Sequence, residues 1–209
     1  MLIRDQHIDN DGKLGIWEIE ESPDELLQLF PESLRNRATA HVAGIRSEKR
    51  MAEWLSVRLL LFRLLNEDKI VHHHRDGRPF LTDQSYHISI SHTKRYAAVL
   101  LHPTRKVGID VEFRTERVGK ISSKFISPEE FVDEPQKLLH QTLIWSAKET
   151  MFKLMDEDEI DFRQHLHTHP FTPQDKGTMT ASETKTPEKH RFEIHYEIFP
   201  DYVLTWAVE

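Results

Sequence analysis

The stretch Val107-Gly108-Ile109-Asp110-Val111-Glu112 alternates apolar and acidic side chains. Strand side chains alternate faces with a period of 2, so Val107, Ile109 and Val111 are expected in a core. Asp110 and Glu112 then share the opposite face, roughly 6–7 Å apart along the strand. Two carboxylates placed this way can share one hard divalent cation such as Mg²⁺. The same pattern also describes the wet face of a half-solvated sheet, where acids are ordinary. A second candidate group lies in Trp145-Ser146-Ala147-Lys148-Glu149-Thr150-Met151-Phe152-Lys153. On a helix Trp145, Glu149 and Lys153 line one face at i, i+4, with Lys148 beside them at i+3 from Trp145. A surface Glu–Lys pair accounts for these charges as well, although a Trp on the same face argues against plain solvent surface.

Basic residues offer a third chemistry. Arg46, Lys49, Arg50 and Arg58 decorate one predicted helix, as either a solvated face or an anion site, because the Arg fork matches phosphate. Ser91-His92 falls where a strand ends, and Arg78 lies in the turn Arg75-Asp76-Gly77-Arg78-Pro79. His72-His73-His74 invites a metal reading, but neighbours on a strand face opposite ways and do not converge easily on one ion.

These residues need elements to hold them. Leu14 to Glu20 reads as a strand with Leu14 and Ile16 on a buried face. Ser22-Pro23-Asp24-Glu25 carries helix-start signals, and a short helix through Leu29 ends at Pro31. From about Ser47 to Leu65 the apolar stripe Met51, Trp54, Leu55, Val57, Leu59, Leu61, Phe62 and Leu65 predicts a long helix. Short strands at Ile70-Val71 and Phe80-Leu81 and a hairpin of His87–Thr93 with Tyr96–Leu101 follow. A basic loop spans Arg114 to Lys120. Ser127 with Glu130, and Pro128 at the first helical position, form a capping-box pattern that accounts for Glu130. A helix runs from about Glu134 to Leu154. Phe162–His167, Thr178–Ala181, Arg191–Ile198 and Tyr202–Val208 are predicted strands, punctuated by Pro170, Pro173, Gly177 and Pro187. Each half runs from a helix into strands and closes on an aromatic–aliphatic one. This predicts an α+β fold of two pseudo-symmetric lobes, residues 1–105 and 106–209, each a small antiparallel sheet packed with a long helix.

The 209 residues suffice for a core without staples. No cysteine is present, which removes disulfides, thiolate nucleophiles and Cys zinc sites. A net charge of −7 argues against a general nucleic-acid binder. The opening MLIRDQHIDN has no apolar leader region, and no run approaches the ~20 apolar residues of a membrane span. A cytoplasmic protein without membrane attachment is the expectation.

Taken in order, Ser91-His92, Gly108-Ile109-Asp110-Val111-Glu112, Phe125 to Phe131, and Trp145-Ser146-Ala147-Lys148-Glu149 with Lys153 are similar to a known set. The chain resembles the larger, two-lobed 4′-phosphopantetheinyl transferases of the surfactin-synthetase-activating type, over nearly its whole length. The GIDVE and WSAKE blocks are the strong anchors; the basic helix and Asp76-Gly77-Arg78-Pro79 are softer matches. The resemblance implies transfer of the phosphopantetheine arm of coenzyme A to a serine of an apo acyl carrier or peptidyl carrier protein, releasing adenosine 3′,5′-bisphosphate. It implies Asp110, Glu112 and Glu149 as ligands of Mg²⁺ (or Mn²⁺), and Glu149 as base for the serine hydroxyl. Asp110 and Lys153 join Glu149 as catalytic residues. Lys153 and Lys148 become phosphate contacts, as do Ser91, His92, Arg78 and Arg50, with Arg46 one turn away as the fallback. Glu130 corresponds to an acid near the active site. The implied molecule is a monomer with its site between the lobes.

Two rivals use the same residues. A degenerate member would bind coenzyme A or a carrier protein without turnover, although all three carboxylates are present. A metal-dependent phosphohydrolase would use Asp110, Glu112 and histidines, but that class usually gathers more His/Asp ligands for two metals.

Overall fold

The computed structural model describes all 209 residues, which divide into two compact units, Met1–Arg105 and Lys106–Glu209. Both combine antiparallel sheet with helix, so the fold is α+β.

In the N-terminal unit, β1 (Leu2–Ile8) and β2 (Gly12–Glu18) form a hairpin turned at Asp9 and Asn10, both at positive φ. Asp and Asn tolerate that left-handed conformation better than most residues. The chain continues through α1 (Pro23–Leu29), α2 (Glu32–Val42), α3 (Glu48–Leu65), β3 (Val71–His73), β4 (Pro79–Leu81), β5 (His87–His92) and β6 (Tyr96–His102). The main sheet has the order β1-β2-β6-β5, and β3 pairs with β4 separately. Ser22 and Glu25 close a reciprocal capping box on α1. At its other end the Arg35 guanidinium of α2 donates to the carbonyls of Gln28, Phe30 and Leu27, the last of which also accepts from Phe30 N. The long helix α3 begins at Ser47 and ends on Asn66 in the left-handed conformation. It lies on the sheet face carrying Trp17, Ala97, Val99 and Leu101, and a Cβ on Gly15 would press into Leu60 and Leu64. Leu14 and Ile16, on the other face of β2, are also fully buried. Both faces of β2 are therefore covered, where the sequence pattern marked one.

The C-terminal unit runs β7 (Val107–Phe113), α4 (Glu116–Ile121), α5 (Lys137–Leu154), α6 (Phe162–His165), β8 (Leu166–Thr168), β9 (Lys176–Glu183), β10 (Arg191–Ile198) and β11 (Tyr202–Val208). Its sheet has the order β7-β11-β10-β9-β8. Leu143, Ala147, Met151 and Leu154 of α5 pack onto Met179, Ala181, Ile194, Val203 and Ala207 of the sheet. The helix comes so close to β7 that a Cβ on Gly108 would overlap the Thr150 carbonyl oxygen. Three expectations are corrected here. The loop after β7 contains α4. Residues 127–131 make a turn and start no helix. Phe162–His165 is a helical turn capped by Asp161, whose Oδ1 accepts from Arg163 N and Gln164 N, both at 2.9 Å, leaving only Leu166–Thr168 as strand.

Candidate active site

Glycine at 108 lets α5 settle against β7, and this sets the environment of the acids. Asp110 and Glu112 project from the same face of β7 as Gly108, so α5 covers them. Asp110 is only 4% exposed, where an open, half-solvated face had been the alternative reading. Its two oxygens are held from α5: Lys153 Nζ donates to Oδ1 at 2.9 Å and Ser146 Oγ donates to Oδ2 at 2.9 Å. Glu112 accepts from Trp145 Nε1 at 2.9 Å, which explains an aromatic residue on this helix face.

Glu149, one turn beyond Trp145, receives no hydrogen bond from the chain. Burial, then the charges of Asp110 and Glu112, push its carboxyl up to about 7, against the pull of Lys153. Burial and Asp110 also raise Glu112, while Trp145 and Lys153 pull it down. The Asp110 charge thus acts on both glutamates, and Glu112 on Glu149, through a poorly hydrated space. No three His, Asp or Glu side chains are already converged as a ligand set. By donor chemistry the group still suits a hard cation: all its ligand atoms are carboxylate oxygens, and their mutual repulsion is what a dication relieves. Lys153 bonds Ile109 O at 2.7 Å as well as Asp110, which leaves its third ammonium proton without an acceptor in the fold.

Lys148 turns the other way. It has no exposure, and its three protons go to Phe125 O (2.5 Å), Glu130 Oε2 (2.7 Å) and Phe162 O (3.1 Å). Burial pushes this ammonium down and Glu130 pulls it back up. Glu130 also accepts from Ser127 N at 2.9 Å, and from Thr168 N and Oγ1 at 2.8 and 2.9 Å. The Ser127 backbone contact survives from the capping-box expectation, but it closes a turn, and the remaining capacity of Glu130 locks Lys148 and β8. All three Lys148 protons are taken up within the fold, at the residue for which the resemblance implied a phosphate contact.

In the N-terminal unit Arg46 and Arg50 are exposed. His92 is exposed, with Nδ1 3.8 Å from Glu53, and Ser91 is buried at the end of β5. Arg78 is gripped by Asp76 in its own turn. His72 and His74 lie against the Phe80 ring. Arg58 stands apart from the other basic residues of α3: its guanidinium lies 4.6 Å over the Trp54 ring, whose other contact is a stacked His41. Burial lowers Arg58 to about 10, and no carboxylate compensates it. The sequence named Arg58 on the basic helix but gave no sign that this one guanidinium is withdrawn from water. Ser146 and the buried Thr205 behind it escaped the reading too. Ser146 sits inside a recognised block, whereas the place of Thr205 opposite Asp110 depends on strand register.

Residues 106–207 match the family model of the 4′-phosphopantetheinyl transferase superfamily. This span is the C-terminal unit almost end to end, and it is that unit which is similar to the superfamily. No curated protein matches the chain. No helix is long and apolar enough to cross a membrane.

Proposed function

We propose that the chain is a 4′-phosphopantetheinyl transferase of the larger, two-lobed type, moving the phosphopantetheine arm of coenzyme A to a serine of an apo acyl or peptidyl carrier protein. The observation that carries this reading is Glu149, an acid in a dry setting with no hydrogen-bond donor and a carboxyl raised to about 7. An acid that no donor in the fold has claimed is open to accept a serine proton, and its raised value is that of the cation-free cluster.

In the proposed step the serine Oγ attacks the phosphorus that bears the pantetheine arm. The Oγ–P bond forms and the serine proton passes to Glu149. The P–O bond to the nucleotide breaks, and its electron pair leaves on the phosphate of adenosine 3′,5′-bisphosphate. Asp110, Glu112 and Glu149 would hold Mg²⁺ or Mn²⁺, which supplies neutralising charge to the pyrophosphate and to the leaving phosphate. Lys153 is held by Ile109 O and Asp110, and its third proton is directed to a phosphate oxygen. Arg50, Arg78, Ser91 and His92 contact the nucleotide phosphates, and Arg58 joins them because its guanidinium has no anionic partner in the fold.

The test is the intact mass of an apo carrier protein after incubation with the chain, coenzyme A and Mg²⁺, beside Asp110→Ala. Gain of one phosphopantetheine, absent with the variant, is expected. Consumption of coenzyme A without a carrier would point to a phosphohydrolase. Tight coenzyme A binding with no gain on any carrier would leave a binding module.

A further inference from the structure

Behind Asp110 lies a chain of buried hydroxyls that the acid set alone does not account for. Thr205 stands directly across from Asp110 in the β7–β11 register, and Ser146 and Thr150 are one turn apart on α5. All three are fully buried. Thr150 Oγ1 and Thr205 Oγ1 are 2.7 Å apart, Thr205 Oγ1 and Ser146 Oγ 2.8 Å, and Ser146 Oγ and Asp110 Oδ2 2.9 Å. Thr205 Oγ1 also reaches the Ser146 carbonyl at 3.0 Å.

Proton bookkeeping gives this chain one direction. A carboxylate only accepts, so the Ser146 proton goes to Asp110. The Ser146 oxygen is then an acceptor for Thr205, whose hydroxyl also donates to the Ser146 carbonyl. With the Thr205 proton on Ser146, its oxygen accepts from Thr150, which has the Thr205 carbonyl at 3.4 Å as a second acceptor. Each hydroxyl committed as a donor becomes a better acceptor, so three dipoles polarise toward one carboxylate. Packing does not explain them: Val203 and Ala207 fill neighbouring positions on the same face of β11, and valine has the shape of threonine without the cost of burying a hydroxyl.

We propose that Thr150, Thr205 and Ser146 are positioning residues that hold the Asp110 carboxylate at Oδ2 and thereby set the cation affinity of the acid group, an inference that rests on the cation reading of the three acids. The test is Mn²⁺ titration of the full chain with coenzyme A present, read as the loss of the free-ion electron paramagnetic resonance signal. Partners that orient metal ligands typically contribute about 10–100-fold to affinity. Ser146→Ala and Thr205→Val are therefore expected to weaken binding about 10-fold, and Thr150→Val, at the far end, about 2–3-fold. Thr205→Ser keeps the hydroxyl and is expected within about twofold of the unsubstituted chain. Thermal unfolding is followed in parallel, and if Ser146→Ala does not fold, the three threonine variants carry the comparison. Unchanged affinity in the hydroxyl-free variants, or equal losses in Thr205→Ser and Thr205→Val, would overturn the positioning role while leaving the cation site standing. Failure of the unsubstituted chain to take up Mn²⁺ would overturn both.

Discussion

Lys148 and Lys153 lie on the same helix, each beside an acid, and the fold treats the two pairs differently. Around Lys148 and Glu130 every proton has an acceptor and water is excluded. Around Lys153 the accounts stay open: one ammonium proton is unmatched, Glu149 has no donor, and two of three acids are raised by burial and by the Asp110 charge. A saturated pair resists change and serves as a clasp. An unsaturated one carries electrostatic strain that a ligand can relieve, and perturbed acids of this kind mark functional sites.

Substitution should separate the pairs. Glu149→Gln removes the proposed base and a cation ligand, so carrier modification is expected to fall about 10³-fold or more while the chain stays folded, as read by initial rates and circular dichroism. Lys148→Met leaves Glu130 buried without its counter-ion and should cost about 3–5 kcal/mol in urea unfolding. Adding Glu130→Gln should return much of that loss, because the uncompensated charge goes with it.

The open cluster also has a pH signature. Glu149 has its ordinary carboxyl value when unfolded and about 7 when folded, so between those values the folded chain binds more protons. The contribution of Glu149 to stability without divalent cation should be full below pH ~4.5 and lost as pH rises through ~7, by roughly 3 kcal/mol, read as the difference from Glu149→Gln. Urea unfolding across that range with a chelator present checks the sign. Gly108→Ala, which forces α5 away from the acids, should cost about 1–3 kcal/mol by the same measurement.

Much of this was legible in the sequence because local signals carried it. The capping box at Ser22, the stripe of α3 and the alternation of β7 each declare an element within a few residues. What stayed hidden depended on tertiary neighbours. Strand β1 is an edge, largely exposed, and has no alternation to read. Only Ala38 and Val42 of α2 are buried, so its period is weak. Ser127 with Glu130 obeys the capping rule, yet Lys148 and Thr168 claim the carboxylate, and neither is near it in sequence. For the same reason the helix face of Trp145, Glu149 and Lys153 was readable, whereas the inward turn of Lys148 and the place of Thr205 opposite Asp110 required the packed unit.

The most direct test compares the two acids in one experiment: the intact mass of an apo carrier protein after incubation with coenzyme A, Mg²⁺ and either Glu149→Gln or Glu130→Gln. The account predicts that Glu149→Gln folds and transfers nothing, while Glu130→Gln is less stable but its folded fraction still adds phosphopantetheine. Transfer by Glu149→Gln at the rate of the unsubstituted chain would contradict the assignment of the open acid cluster as the catalytic centre.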